Sequence, residues 1–160
     1  MPATESVPNT LTSLICDIRF AMLTTRSLDG TLSCRPMVTQ DDDGDGFLWF
    51  FTGITTHKAA DILANPDVNL SYSDPATQRY VSVSGRASMI VDRAQMITRW
   101  RPAYAAWIPL AIDDPDMALL QVVIGRVEYW RPPSVWTGQA LACRPQTAMS
   151  RDHAEGRHTS

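Results

Sequence analysis

Cysteine is scarce in this chain of 160 residues: Cys16, Cys34 and Cys143 are odd in number and none falls in a CxxC pair. A disulfide framework and a structural zinc site are thereby excluded, and a reducing, cytoplasmic compartment is expected. An excess of basic charge is missing too. The formal net charge of −3 and pI near 5.5 argue against a protein that coats nucleic acid, because phosphate neutralisation needs a basic face. No segment is long and apolar enough to span a bilayer, and the opening MPATESVPNT lacks the basic start and apolar run of a secretory signal. No Gly-x-Gly-x-x-Gly joins a strand to a helix, so the dinucleotide fingerprint is absent. No Ser/His/Asp set or metal-ligand cluster emerges.

What is present is the composition of one ordinary globular domain, with 44% apolar and 19% charged residues. Five Trp and four Phe in so short a chain point to aromatic core packing or to a flat aromatic ligand. Asn9 or Thr10 is placed to cap a helix whose Leu11, Leu14, Ile15 and Ile18 share one face. FAMLTTRS (20–27) and TLSCRPMVTQ (31–40) read as a hairpin turned at Asp29-Gly30, with Pro36 confining its strand to an edge, a bulge or a strand end. DDDGDG (41–46) begins like a calcium loop but lacks the closing Glu at the required spacing, and reads as a turn.

FLWFFT (47–52) has the nearly continuous apolar character of a buried strand, and a helix from Thr56 to Ala64 stops before Asn65-Pro66. VNLSYSD (68–74) and RYVSVSGRASMIV (79–91) form a second hairpin. Asp92 caps a helical region that continues through Pro102–Ile108, and MALLQVVIGRVEYWRP carries a last strand ending at Trp130. Asp113, Asp114 and Asp116 with Pro115 read as a turn before that strand. The expected organisation is a flexible N-terminus (1–10), a single domain (11–142) and a disordered tail (143–160), whose HAEGRH is read as solvent-facing. The fold class is mainly β: a six-stranded antiparallel barrel with accessory helices.

One turn is unusual. His57 and Lys58 stand at the start of a helix, where the backbone already carries positive partial charge and a basic side chain costs about 0.3–1 kcal/mol. A bound anion reverses that sign. The amides, a hydroxyl of Thr55 or Thr56 and the Lys58 ammonium together suit a phosphate, and Arg35 on what reads as a neighbouring strand of the same meander adds a planar fork of donors. The alternative is a plain Thr56 cap with Lys58 and Arg35 in water.

SCRPM (33–37), LWFFT (48–52), THK (56–58), NPDVNLSY (65–72), YVSVSGRASMIVD (80–92) and WIPLAIDDPDMALLQVVIGRVEYW (107–130) occur in an order that resembles the flavin-binding split-barrel proteins related to pyridoxamine 5'-phosphate oxidase, general stress protein branch. The resemblance spans about Thr12 to Arg131. It implies a homodimer with FMN at two interface sites, Arg35, Pro36 and Met37 lining the flavin with Arg35 near its phosphate or ring edge, Phe50, Phe51 and Thr52 following its ring, Thr56, His57 and Lys58 on its phosphate, and Trp100 and Trp107 in a region that in relatives contributes to the partner subunit's flavin pocket. The family usually has Ser where Thr56 stands, so a hydroxyl is kept.

Pro109-Leu110-Ala111-Ile112 replaces a glycine-containing turn common in the family, which narrows the expected pocket mouth. The tail after Cys143 does not match the substrate-binding end of true pyridoxamine-phosphate oxidases, so oxidation of vitamin B6 is not expected. The resemblance leaves three functions open: an FMN-dependent oxidoreductase taking electrons from NADH or NADPH, a non-catalytic flavin-binding stress protein, and a deazaflavin-dependent reductase. In each, the chemistry is the cofactor's.

Overall fold

A computed structural model describes residues 7–40 and 45–141. The expected tail (143–160), its HAEGRH, and Asp41–Gly44 of the acidic turn lie outside them. The elements follow in the order α1 (Val7–Ile15), β1 (Phe20–Arg26), β2 (Leu32–Val38), β3 (Phe47–Gly53), α2 (His57–Ala64), β4 (Asp67–Asp74), β5 (Arg79–Ile90), α3 (Arg93–Arg99), a 3-10 turn (Pro102–Ala106), β6 (Met117–Arg131) and β7 (Ser134–Leu141). All strand pairings are antiparallel.

The local signals explain most of these boundaries. Gly30 adopts φ +86°, and Asp29 Oδ1 accepts from the Thr31 amide at 2.9 Å, closing the β1–β2 hairpin. Asp92 caps α3 through bonds from the amides of Ala94 (3.0 Å) and Gln95 (3.2 Å). Helix α1 starts at Val7, before the expected cap, with Pro8 in its first turn where a missing N–H is no loss.

The strand order is β2-β1-β4-β5-β6-β3, with β7 also paired to β6. This corrects two expectations. First, β2 and β3 are not neighbours in a meander: among the described residues β2 ladders with β1 alone, and β3 crosses to pair with β6. Pro36 therefore sits on an edge strand, where its missing donor costs nothing. Second, a seventh strand extends the expected six, and β6 runs one residue past Trp130. Gly138 permits β7 to close on β6, since a Cβ there would lie 2.9 Å from the Trp130 indole nitrogen.

The sheet curls into a split barrel without closing. A bulge between Ser84 and Gly85 bends the long antiparallel β5–β6 pair, and a Cβ on Gly85 would overlap the Val123 carbonyl. One core fills the barrel with Leu23, Leu70, Tyr72, Val83, Leu120 and Val122, sealed by Leu11, Leu14, Ile15 and Ile18 from α1 and its end. A second core lies outside β3: Trp49 and Phe51 pack with Met96, Tyr104, Met117 and Leu119. β3 is thus buried on both faces, the physical reason for its unbroken apolar run. Among the described residues, no helix is long and apolar enough to cross a membrane.

Candidate functional site

Curling brings the free edge of β2 towards the end of β3, and a cleft of about 290 Å³ opens there. Seven of the ten nominated residues line it: Pro36, Met37, Phe51, Thr52, Thr56, Lys58 and Trp107. Phe50, on the opposite face of β3 from Phe51, is buried in the barrel core. His57 is exposed at the helix start, and Arg35 lies between β1, β2 and α2.

The turn from β3 into α2 is held from an unexpected side. Asp116, just before β6, accepts from the Thr55 amide with Oδ1 (2.9 Å) and from the Ile54 amide with its carbonyl (2.8 Å). Gly53 makes room for that carboxylate, which a Cβ would overlap. Asp114 Oδ1 in turn accepts from the Asp116 amide at 2.8 Å, so the acidic cluster forms the expected turn, and Asp116 also anchors the site. The residue spacing of DDPD indicated a turn; nothing in it revealed what Asp116 would meet sixty-one positions earlier.

The Thr56 hydroxyl does not cap α2. It donates to the Gly53 carbonyl at 2.8 Å. The Ala59 and Ala60 amides reach the Thr56 carbonyl at 3.1 and 3.2 Å, while no acceptor among the described residues takes the amides of His57 and Lys58. Two donors and the positive end of the helix are therefore available to an anion. Burial, then the neighbouring Arg35 charge, lowers the Lys58 ammonium below its ordinary pKa.

Arg35 donates through Nη1 to the Thr25 hydroxyl (2.6 Å) and the Leu23 carbonyl (3.3 Å), with Nη2 3.9 Å from Asp61 Oδ2. Thr52, 6% exposed, lies in a wall of the cleft, and its hydroxyl has no hydrogen-bond partner among the described residues. A buried orphan hydroxyl is destabilising unless something polar meets it. Val38, Ile108, Pro109 and Leu110 supply apolar wall, so the cleft offers a cationic, donor-rich end and a hydrophobic body. That division suits a flat ring carrying a phosphate.

Trp107 is 47% exposed at the rim, with Phe20 edge-on to it at 5.3 Å and the Arg19 guanidinium 5.1 Å from its ring centre. Among the described residues, no group of three His, Cys, Asp or Glu side chains is placed to hold a metal.

Protein bli-3 of Neurospora crassa is 33% identical over 101 residues, covering 62% of this chain and 48% of that protein. A pyridoxine/pyridoxamine 5'-phosphate oxidase of Anaeromyxobacter dehalogenans is 31% identical over 141 residues, covering 79% of this chain and 69% of the enzyme. The chain thus matches about half the length of the first relative and about two thirds of the second. A crystal structure from Clostridium acetobutylicum, of a protein related to general stress protein 26, superposes with a TM-score of 0.71 at 21% identity, covering 84% of this chain and 92% of that one. At that identity the likeness speaks for the shared split-barrel fold. Residues 7–145 match the pattern of the pyridoxamine 5'-phosphate oxidase like proteins, and the chain belongs to that family.

Proposed function

We propose that this protein binds FMN in the cleft between β2 and β3 and serves as a flavin-dependent oxidoreductase drawing electrons from NADH or NADPH. The observation that carries the reading is the meeting of Lys58, Arg35 and two unaccepted amides at the start of α2. Two cations that repel one another at the positive end of a helix are stabilised by a phosphate. Riboflavin offers the same ring without that phosphate, so the pair of ligands separates the two ends of the site.

Lys58, Arg35 and the His57 and Lys58 amides are assigned to the phosphate, and Thr52 to a polar edge of the ring. Pro36, Met37, Phe51 and Trp107 form apolar walls that exclude water and fix the plane of the ring. When bound, FMN supplies the redox chemistry that no side-chain set in the cleft provides. Phe20, Met22 and Trp107, each 39–47% exposed, provide apolar surface near the cleft for a second copy of the chain, in a homodimer whose flavin sites lie at the interface.

The test is direct. Protein purified with its chromophore is extracted and weighed, then mixed with NADH and NADPH while flavin absorbance is followed. The mass of FMN and bleaching by either nicotinamide support the full reading. FMN that stays oxidised removes the redox half and leaves a flavin-binding stress protein, whereas a deazaflavin mass replaces the cofactor. A chain that binds neither overturns the proposal.

A further inference from the structure

The groups that hold Arg35 are not the groups expected to meet a ligand. Thr25, on β1, is 1% exposed. Its hydroxyl accepts from Arg35 Nη1 at 2.6 Å and donates to Asp61 Oδ2 at 2.8 Å. The direction is unambiguous, because a guanidinium only donates, a carboxylate only accepts, and a hydroxyl has one proton.

Ser27, the residue just past the end of β1, donates to Asp61 Oδ1 at 3.1 Å. Both carboxylate oxygens of Asp61, in α2 one turn beyond Lys58, are therefore tied to β1 and the residue that follows it. The direct Arg35–Asp61 approach of 3.9 Å is too long for a hydrogen bond. The coupling runs through the Thr25 hydroxyl instead.

Only part of the Arg35 fork is committed. Nη1 is shared between Thr25 and the Leu23 carbonyl, while Nε and Nη2 donate to no acceptor among the described residues. A guanidinium held by one nitrogen, with its other donors uncommitted, is arranged to take an anion in a fixed orientation. A purely structural arginine in a partly buried strand position would be expected to use its donors within the protein.

We propose that Thr25 and Asp61 form a positioning relay that orients Arg35 for the phosphate, with Ser27 steadying Asp61. The proposal rests on the phosphate reading above. Asp61 acts through Thr25 and Arg35 and does not touch the ligand. It also neutralises part of the local positive charge, so that Arg35 and Lys58 can stand near each other before the anion arrives.

The experiment compares full-length wild type with Thr25→Val, which keeps the shape and removes the hydroxyl, and Thr25→Ser, which restores it. Each is titrated with FMN and with riboflavin, and urea midpoints are measured in parallel. Thr25→Val is expected to weaken FMN about tenfold and riboflavin less than about twofold, with Thr25→Ser returning to near the wild-type ratio. The ratio is the informative readout, since general loosening of the cleft weakens both ligands. Should Thr25→Val not fold, Asp61→Asn, which keeps the side-chain shape, is measured the same way and is expected to lower the ratio. Wild type that holds both ligands equally defeats the phosphate reading itself. Wild type that prefers FMN at least tenfold, alongside relay variants that keep that preference, overturns the relay alone.

Discussion

Lys58 is the single lysine of the chain, and it occupies an electrostatically poor position. Its ammonium is lowered from the usual 10.5 by burial and then by Arg35, and it sits at the positive end of α2. Replacing Lys58 with Met is therefore expected to stabilise the ligand-free protein by up to about 1 kcal/mol, read as a higher urea midpoint. The same change should weaken FMN by tenfold or more while riboflavin changes little. A variant that loses both ligands equally would place Lys58 outside the phosphate site.

The pH dependence has a definite sign. Because the folded, ligand-free lysine is depressed, stability without ligand rises with pH between its lowered value and 10.5. A bound phosphate favours the charged form and takes up a proton in that window. FMN affinity should therefore fall as pH rises through the Lys58 titration, and the fall should vanish in Lys58→Met. Calorimetry in two alkaline buffers of different ionisation enthalpy measures the proton uptake.

At the scale of elements, the decisive feature is the clasp between the β3–α2 turn and the residue before β6. Gly53→Ala forces a methyl into the Asp116 carboxylate, for an expected loss of about 1–3 kcal/mol. Asp116→Ala leaves the Thr55 amide without its acceptor, at a cost of about 1 kcal/mol. Combined, the two should cost less than their sum, because removing the carboxylate relieves the overlap. Strict additivity in urea denaturation would show that Gly53 and Asp116 act independently.

The elements also show why some assignments were open to sequence and others were not. β1, β4 and β5 alternate because one face meets the barrel core, and FLWFFT is continuous because β3 is covered on both sides. Both patterns are local consequences of burial. β7 is not legible in the sequence because Gly138 weakens its pattern, and its place depends on pairing with β6, where Glu128 faces Ala140 and Tyr129 faces Gln139.

For the whole molecule, Arg79 joins distant parts of the surface. It pairs with Asp17 after α1 (2.7 Å) and Asp74 at the end of β4 (2.9 Å), and donates to the Leu14 carbonyl (3.0 Å). Hydrogen bonds from Arg79, and at Asp74 first from Thr77, hold both carboxyls below their usual 3.8. Depressed carboxyls stabilise the fold above their unfolded pKa, and that contribution is lost as pH falls through the folded values. Arg79→Met should consequently flatten the drop in melting temperature below about pH 4. An unchanged acid limb would mean that these pairs do not contribute. Sedimentation at several concentrations tests the proposed homodimer, which Trp107→Glu at the exposed rim should weaken.

From its sequence alone the chain determined the strands and helices whose signals are local: the Asp29-Gly30 turn, the Asp92 cap, the faces of α1 and β1, and a helix starting on Thr-His-Lys. It also carried the family's motifs in order, enough to nominate most of the cleft's walls. Tertiary structure alone decided that β2 and β3, the opposite ends of the strand order, would form one cleft, that Thr56 would turn to Gly53 instead of capping, and that Asp116, Asp61 and Thr25 would brace the site. Periodicity and capping depend on neighbours within a few residues, whereas these contacts depend on how a sheet curls, and curvature is the summed outcome of packing, bulges and twist along all its strands.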